Sequence, residues 1–291
     1  MLYFFMKKET KQYRQKILNN TYYYIYKNIS QDISLEELAK LSSLSKYHFH
    51  RIFKEESKNT IFFELRSIRL QKAANLLITN KYSSILEIAN ACGYSSHSSF
   101  IKAFKKMFYY SPKEWRKEKY KEYSASLLKK FQNNKNFEKL EVKISVSSAI
   151  LCTYLRHKGY TNDISKTWEK LNAIAYENNI TKYRQIAIYH DNPAIIPLKD
   201  CSYVACIEIL EHEKNKLSTF IIEESLCAIF SFKGVYGDIL NFIRYVYHFW
   251  LPNSGYEAKT KPAFSIFKKN HFTSLQKEFD LEFYLPIKVI Y

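Results

Sequence analysis

Apolar residues in the first 116 positions recur with helical spacing, and the pattern is written twice. Leu35, Leu38 and Ala39 stand at i, i+3 and i+4, and Phe49, Ile52 and Phe53 repeat that spacing on a second short segment. About fifty residues on, Ile85, Ile88, Ala89 and Cys92 precede Phe100, Phe104 and Phe108. Such spacing puts each set on one face of a helix. Ser34, with Glu37 three residues later, predicts a capped helix running to about Leu41; Ser42 to Ser45 breaks it, and Ser45 caps the next. In the second copy Gly93 supplies the left-handed turn residue. Between the copies, Phe62, Leu65, Ile68, Leu70, Ala73, Ala74, Leu76 and Leu77 sustain a helical pattern free of Gly and Pro for about eighteen residues, or about 27 Å of helix.

From Ser124 to Lys139 the chain turns polar, with Gln132 to Asn136 reading as a linker. Beyond it the period changes to strands alternating with helices. The stretch His157 to Leu171 matches Phe232 to Val246: a strand ending in Lys-Gly, a short turn, Asp-Ile, then an amphipathic helix. Two strands follow each copy, Gln185–Tyr189 and Tyr203–Ile209 in the first, Ala263–Phe267 and Phe279–Ile287 in the second. The expected architecture is multidomain. An all-α tandem helix-turn-helix domain (1–123) and a linker (124–139) precede an α+β domain (140–291) of two pseudo-symmetric strand-helix-strand-strand units, with a cleft where the units meet.

Charge then separates the halves. The formal net charge of +17 is carried unevenly: residues 1–130 hold 25 Lys+Arg against 11 Asp+Glu, residues 131–291 hold 20 against 17. A compositional bias toward Lys, Asn, Ile and Tyr would raise both halves, so the asymmetry assigns the positive field to the helical repeat, as phosphate contact requires. The five cysteines form no CxxC pair and no Cys/His metal spacing, so neither a disulfide framework nor a metal site is expected, and no cofactor. The apolar opening Met1 to Met6 is too short for a signal-peptide core, and no run of about 18 apolar residues occurs. A soluble cytoplasmic chain without membrane association is the expectation.

With the Phe face buried, the second helix of each copy offers its other side to solvent: Lys46, Tyr47, His50 and Arg51 in the first, His97, Ser98, Ile101 and Lys102 in the second. A short helix with basic and hydrogen-bonding side chains fits a major groove about 12 Å wide. The region from Ile17 to Arg116, above all the stretch Ile88 to Arg116, resembles the AraC family of bacterial transcription regulators. That resemblance implies seven helices, two helix-turn-helix units joined by a long helix, and double-stranded DNA as partner. Carried over by position, Tyr47, His50, Arg51, His97, Ser98 and Lys102 face bases, Lys46 lies beside them, and Lys54 and Lys105 meet phosphate. Ser43 stands where the family often has Gly, which predicts a less usual turn in the first unit.

Residues 140–291 resemble the GyrI-like (SOUL-type) effector-binding domain through Tyr189 to Pro193, Trp250 to Tyr256 and Leu281 to Ile287. The resemblance implies a small, hydrophobic or cationic effector in the central cleft, a carboxylate on the last strand, here Glu282, and surrounding aromatics, here Tyr284, Trp250, Tyr160 and Tyr236. Strand alternation puts Asp280, Glu282 and Tyr284 on one face and Leu281, Phe283 and Leu285 on the other. The residues alone leave open whether Glu282 lines a cleft or lies on an outer face paired with a lysine such as Lys277. The function expected is a ligand-modulated, sequence-specific transcription regulator acting on operator affinity or on RNA polymerase, and not an enzyme. The alternative is a GyrI-like hydrolase using the same acid, although no Ser/His/Asp arrangement or phosphate loop supports catalysis.

Overall fold

The computed structural model describes residues 2–128 and 137–290. Helix α1 (Leu2–Lys27) leads into the first helix pair, α2 (Leu35–Lys40) and α3 (Lys46–Ser57). The predicted capping box forms: Ser34 Oγ accepts from the Glu37 amide, and the Ser34 amide donates to the Glu37 carboxylate at 2.9 Å. Ser45 caps α3. Ser43 takes a left-handed conformation at φ 52°, the same region as Gly93 at φ 78° in the second pair. The turn is therefore not altered in type. A serine holds it, at a steric cost on the order of 1 kcal/mol.

Helix α4 (Ile61–Thr79) joins this pair to α5 (Ile85–Ala91) and α6 (His97–Phe108), and α7 (Pro112–Glu114), a π-helical turn and α8 (Tyr120–Leu128) close the helical half. The two pairs have separate cores. Phe49 and Phe53 pack with Ile17, Ile25, Leu38 and Ile68, whereas Phe100, Phe104 and Phe108 pack with Leu77, Ile88 and Trp115. Each buried Phe contributes about 1.5–3 kcal/mol of burial free energy. Helix α8 runs through Ser124, so the segment expected as linker begins inside a helix; Gln132 to Asn136 lie outside the described residues.

Beyond Phe137 come β1 (Val142–Ser147), β2 (Ile150–Lys158), α9 (Ile164–Glu177), β3 (Gln185–Tyr189), β4 (Ser202–Glu208) and β5 (Thr219–Ile222). They are followed by β6 (Ser225–Val235), α10 (Asp238–Tyr245), α11 (Leu251–Asn253), β7 (Tyr256–Ala258), β8 (Ala263–Lys269) and β9 (Glu278–Val289). Sheet order is β1-β6-β9-β8-β3-β4-β2-β5, with β7 paired to β9. The duplication is visible in this order. Units β2-α9-β3-β4 and β6-α10-β8-β9 are laid out as mirror sequences about the antiparallel β3–β8 seam, where Ala187 pairs Ser265. Three strands, β1, β5 and β7, lie outside the repeat. Phe137, assigned by its sequence neighbours to the linker, instead packs on Phe232 and Phe242 at 5.4 and 5.7 Å.

Both α9 and α10 cover one face of the sheet, burying Tyr189, Tyr203, Phe230, Leu281 and Phe283. The opposite face carries a second apolar layer of Tyr154, Ile186, Ile188, Val204 and Phe264. The core under α9 and α10 runs without a break into that of the second helix pair, whereas the first pair keeps its own.

Candidate functional site

The faces opposite the buried Phe residues are laid out as the periodicity requires. Lys46, Tyr47, Arg51 and Lys54 are exposed on α3, with His50 half-buried, and His97, Ser98, Lys102 and Lys105 are exposed on α6. Tyr47 stands 78% exposed. Two residues depart from a free surface. Lys46 pairs with Glu36 of α2, and Ile101 turns partly inward onto the core. Arg69 of α4 ties that helix to the turn between α1 and α2: its guanidinium donates to the backbone carbonyl of Ile29 at 3.2 Å and to that of Gln31. Gly93 lies against this clamp. A Cβ there would stand 2.5 Å from the Ile29 carbonyl oxygen and 2.7 Å from the Arg69 guanidinium.

The five residues expected around one ligand cleft are not brought together. Tyr160 and Tyr236 meet with Tyr189, Tyr203, His271 and Phe272 around a cavity of about 20 Å³ on the helix-covered side, room for about one water. Burial holds His271 down to about 4, and neither ring nitrogen has a partner. Trp250 packs edge-on against Phe230 at 4.9 Å as part of the core. Glu282 and Tyr284 lie on the opposite face, because strand alternation turns them away from α9 and α10. There the Tyr284 hydroxyl donates to Glu282 at 2.8 Å, and Lys268, rather than Lys277, approaches the carboxylate at 3.5 Å. Tyr284 also stacks on Phe264 at 4.7 Å, and burial followed by the Glu282 contact raises its phenol pKa.

A larger cavity, about 160 Å³, opens between that helix-free face and α1. Tyr23, Tyr26 and Lys27 of α1 form one wall; Arg156, Ile188, His190 and Phe264 of the sheet side form the other, with Phe220 and Lys261 at the rim. Tyr26 stacks on the His190 ring at 3.6 Å, and the Arg156 guanidinium lies 5.4 Å from the Tyr22 ring centre and 5.7 Å from that of Tyr26. Burial, then the nearby charges of Arg156 and Lys72, keep His190 well below the usual imidazole range. Tyr22 also meets Phe53 of α3 at 5.7 Å, so one ring touches both α3 and the cavity's arginine.

A second joint reaches the other helix pair. Glu257 of β7, 2% exposed, accepts from the Tyr82 and Ser83 amides at 2.8 Å each, from the Ser83 hydroxyl and from Lys288 at 2.9 Å. Burial raises its pKa, but those donors outweigh burial and hold it below the usual carboxylate range. The next residue, Ser84, caps α5. Asn192 donates to Asn75 of α4 at 2.9 Å and lies 3.1 Å from His248 Nε2. Among the described residues no group of three or more His, Cys, Asp or Glu is placed to hold a metal, and all five cysteines are buried free thiols.

Comparison with known proteins accounts for both halves. A family model described as a GyrI-like small molecule binding domain matches residues 140–288, and a helix-turn-helix domain model matches 38–118. The chain belongs to the GyrI-like family. Its helical half is an AraC-type helix-turn-helix domain. An uncharacterised helix-turn-helix transcriptional regulator of Bacillus subtilis, YbfP, is 30% identical over 132 residues, 45% of this chain and 41% of YbfP. The TetD protein of transposon Tn10 in Escherichia coli is 31% identical over 118 residues, 40% of this chain and 84% of TetD. The solved DNA-binding domain of AdpA, in complex with a target DNA, is 25% identical, with a TM-score of 0.34 and 36% of this chain and 93% of that one covered. The chain thus spans about two fifths of the length of YbfP.

Within this GyrI-like chain, sequence reading missed Arg156, His190, Tyr26 and Glu257. No local pattern marks a role for them, although His190 lies within the Tyr189 to Pro193 stretch. Each acquires its role from a partner more than a hundred positions away, save for the shorter reach of His190 to Arg156.

Proposed function

We propose that this chain is a transcription regulator in which an AraC-type DNA reader responds to a small molecule held by the GyrI-like domain. The observation that carries the reading is the joint at β7: Glu257 holds the two backbone amides just before the α5 cap, so a movement of the sheet is felt at the second helix pair. Coupling of this kind needs two states that the ligand distinguishes. Occupancy would alter operator affinity or the contact with RNA polymerase, and the working place is the cytoplasm, where the DNA is.

Binding rather than turnover is favoured by Glu282, the carboxylate a hydrolase would use. It is already engaged by the Tyr284 hydroxyl and approached by Lys268 on a half-open face. The proposed base readers are Tyr47, His50 and Arg51 on α3 and His97, Ser98 and Lys102 on α6. The test is selection of duplexes from a random library by the full chain. Two half-sites about one helical turn apart are expected. Arg51→Ala should erase preference in one half-site and Lys102→Ala in the other; recovery of no preferred sequence would overturn the reading.

A further inference from the structure

The cavity between α1 and the sheet has a chemistry opposite to that of a cation cage. Among the described residues its charged lining is three cations, Lys27, Arg156 and Lys261, and one acid, Glu223. That acid is already held by both lysines, at 3.4 and 3.0 Å. Arg156 has no carboxylate partner among the described residues; its guanidinium lies over the rings of Tyr22, Tyr26 and Tyr154, and its Nε is buried without a hydrogen-bond acceptor. His190 Nδ1, on the same wall, is likewise buried and unpartnered. A buried donor without an acceptor costs about 1–3 kcal/mol, so the site gains from any ligand that supplies one. An organic cation would meet a wall of net positive charge and no free carboxylate.

Most of the remaining lining is apolar or aromatic, Phe220, Phe264, Ile188, Val204 and Tyr26 among it. A volume of about 160 Å³ suits one ring, since a cavity of about 150 Å³ admits benzene. We propose that this cavity binds a small monocyclic aromatic carboxylate, its ring between Phe264 and Tyr26 and its carboxylate on the Arg156 guanidinium. A guanidinium presents paired N–H donors that match a carboxylate, which an ammonium does not. The inference rests on the reading of this chain as a ligand-responsive regulator and gives that ligand a charge and a size. It also gives occupancy a mechanical consequence. A carboxylate on Arg156 competes with the contacts that Arg156 makes to Tyr22 and Tyr26, and Tyr22 is packed on Phe53 of the recognition helix.

The test is calorimetric titration of the full chain with benzoate, benzamide and benzylamine, three rings of equal size and different charge. Benzoate should bind at least tenfold more tightly than either of the others. Arg156→Gln should weaken benzoate at least tenfold and leave benzamide unchanged; if that variant does not fold, Lys261→Gln at the rim should weaken benzoate about threefold. Equal affinity for benzoate and benzamide, tighter binding of benzylamine, or benzoate binding indifferent to both substitutions would overturn the proposal. Operator binding measured with and without saturating benzoate separates the two readings. Arg156-dependent benzoate binding with unchanged DNA affinity sustains the site and removes the regulatory role, whereas intact operator binding by a chain that ignores benzoate removes the site alone.

Discussion

The side-chain amide of Asn80 exchanges two hydrogen bonds of 3.0 Å with the backbone of Ala258, donating to its carbonyl and accepting from its amide. An amide side chain at the end of α4 thereby takes the place of a strand neighbour for β7. The pair is buried, at 3% and 4% exposure, and Thr79 adds a hydroxyl donor to the same Asn80 oxygen at 2.8 Å. DNA reader and ligand domain are joined here by hydrogen bonds with strand-like geometry, next to the Glu257 cap.

Replacing Asn80 with Leu leaves a buried donor and a buried acceptor of Ala258 unpaired. Each such group costs about 1–3 kcal/mol, so a loss of about 2–6 kcal/mol is expected in denaturant unfolding. The single transition of the intact chain should split in two as the halves lose contact. Asn80→Asp, which keeps the acceptor and loses the donor, should fall between.

His248 stands at the same boundary, 5.2 Å from Tyr120 and within reach of the Asn192 amide, and burial with the nearby charges of Arg244 and Lys121 lowers its pKa to about 3. A folded value below the unfolded 6.5 means that the unfolded chain takes the proton first. Its contribution is therefore fully present above about pH 6.5 and is lost as pH falls toward 3. Between pH 7 and 5 the expected loss is up to about 2 kcal/mol, measured by urea unfolding. His248→Gln should flatten that slope.

At Gly93 a methyl group would collide with the Ile29 carbonyl and the Arg69 guanidinium, on a backbone at φ 78° that side chains disfavour. Gly93→Ala should cost about 2 kcal/mol or more. Ser43→Gly, at the matching turn of the first pair, should add up to about 1 kcal/mol by relieving the left-handed serine. Thermal unfolding of both variants reads out the contrast.

Lys54 and Lys105 follow the buried Phe53 and Phe104 and stand exposed on α3 and α6, where the proposed role is contact with phosphate. Lys105→Ala should weaken DNA binding uniformly across sequences and reduce the slope of log affinity against log salt by about 1. A changed sequence preference would place it on a base instead.

Both duplications were legible in the chain itself, because helix capping and apolar spacing are local. Ser34 with Glu37, Phe49 with Phe53 and the 157–171 match to 232–246 encode each element within a few residues, and the mirror order about the β3–β8 seam follows from antiparallel pairing of two like units. The alternation of β9 was equally readable: Leu281 and Phe283 are buried under α10, Glu282 and Tyr284 face away. Which of those faces would hold a ligand-sized space was not readable. Only the tertiary structure decided that Tyr160 and Tyr236 close on each other around a space for one water, while α1, folded back from the far end of the chain, roofs the opposite face beside Arg156. Local pattern determines what each segment becomes. The unpaired charge of Arg156, the buried carboxylate of Glu257 and the strand-like Asn80 depend on atoms brought from distant segments, and no spacing along a chain carries that.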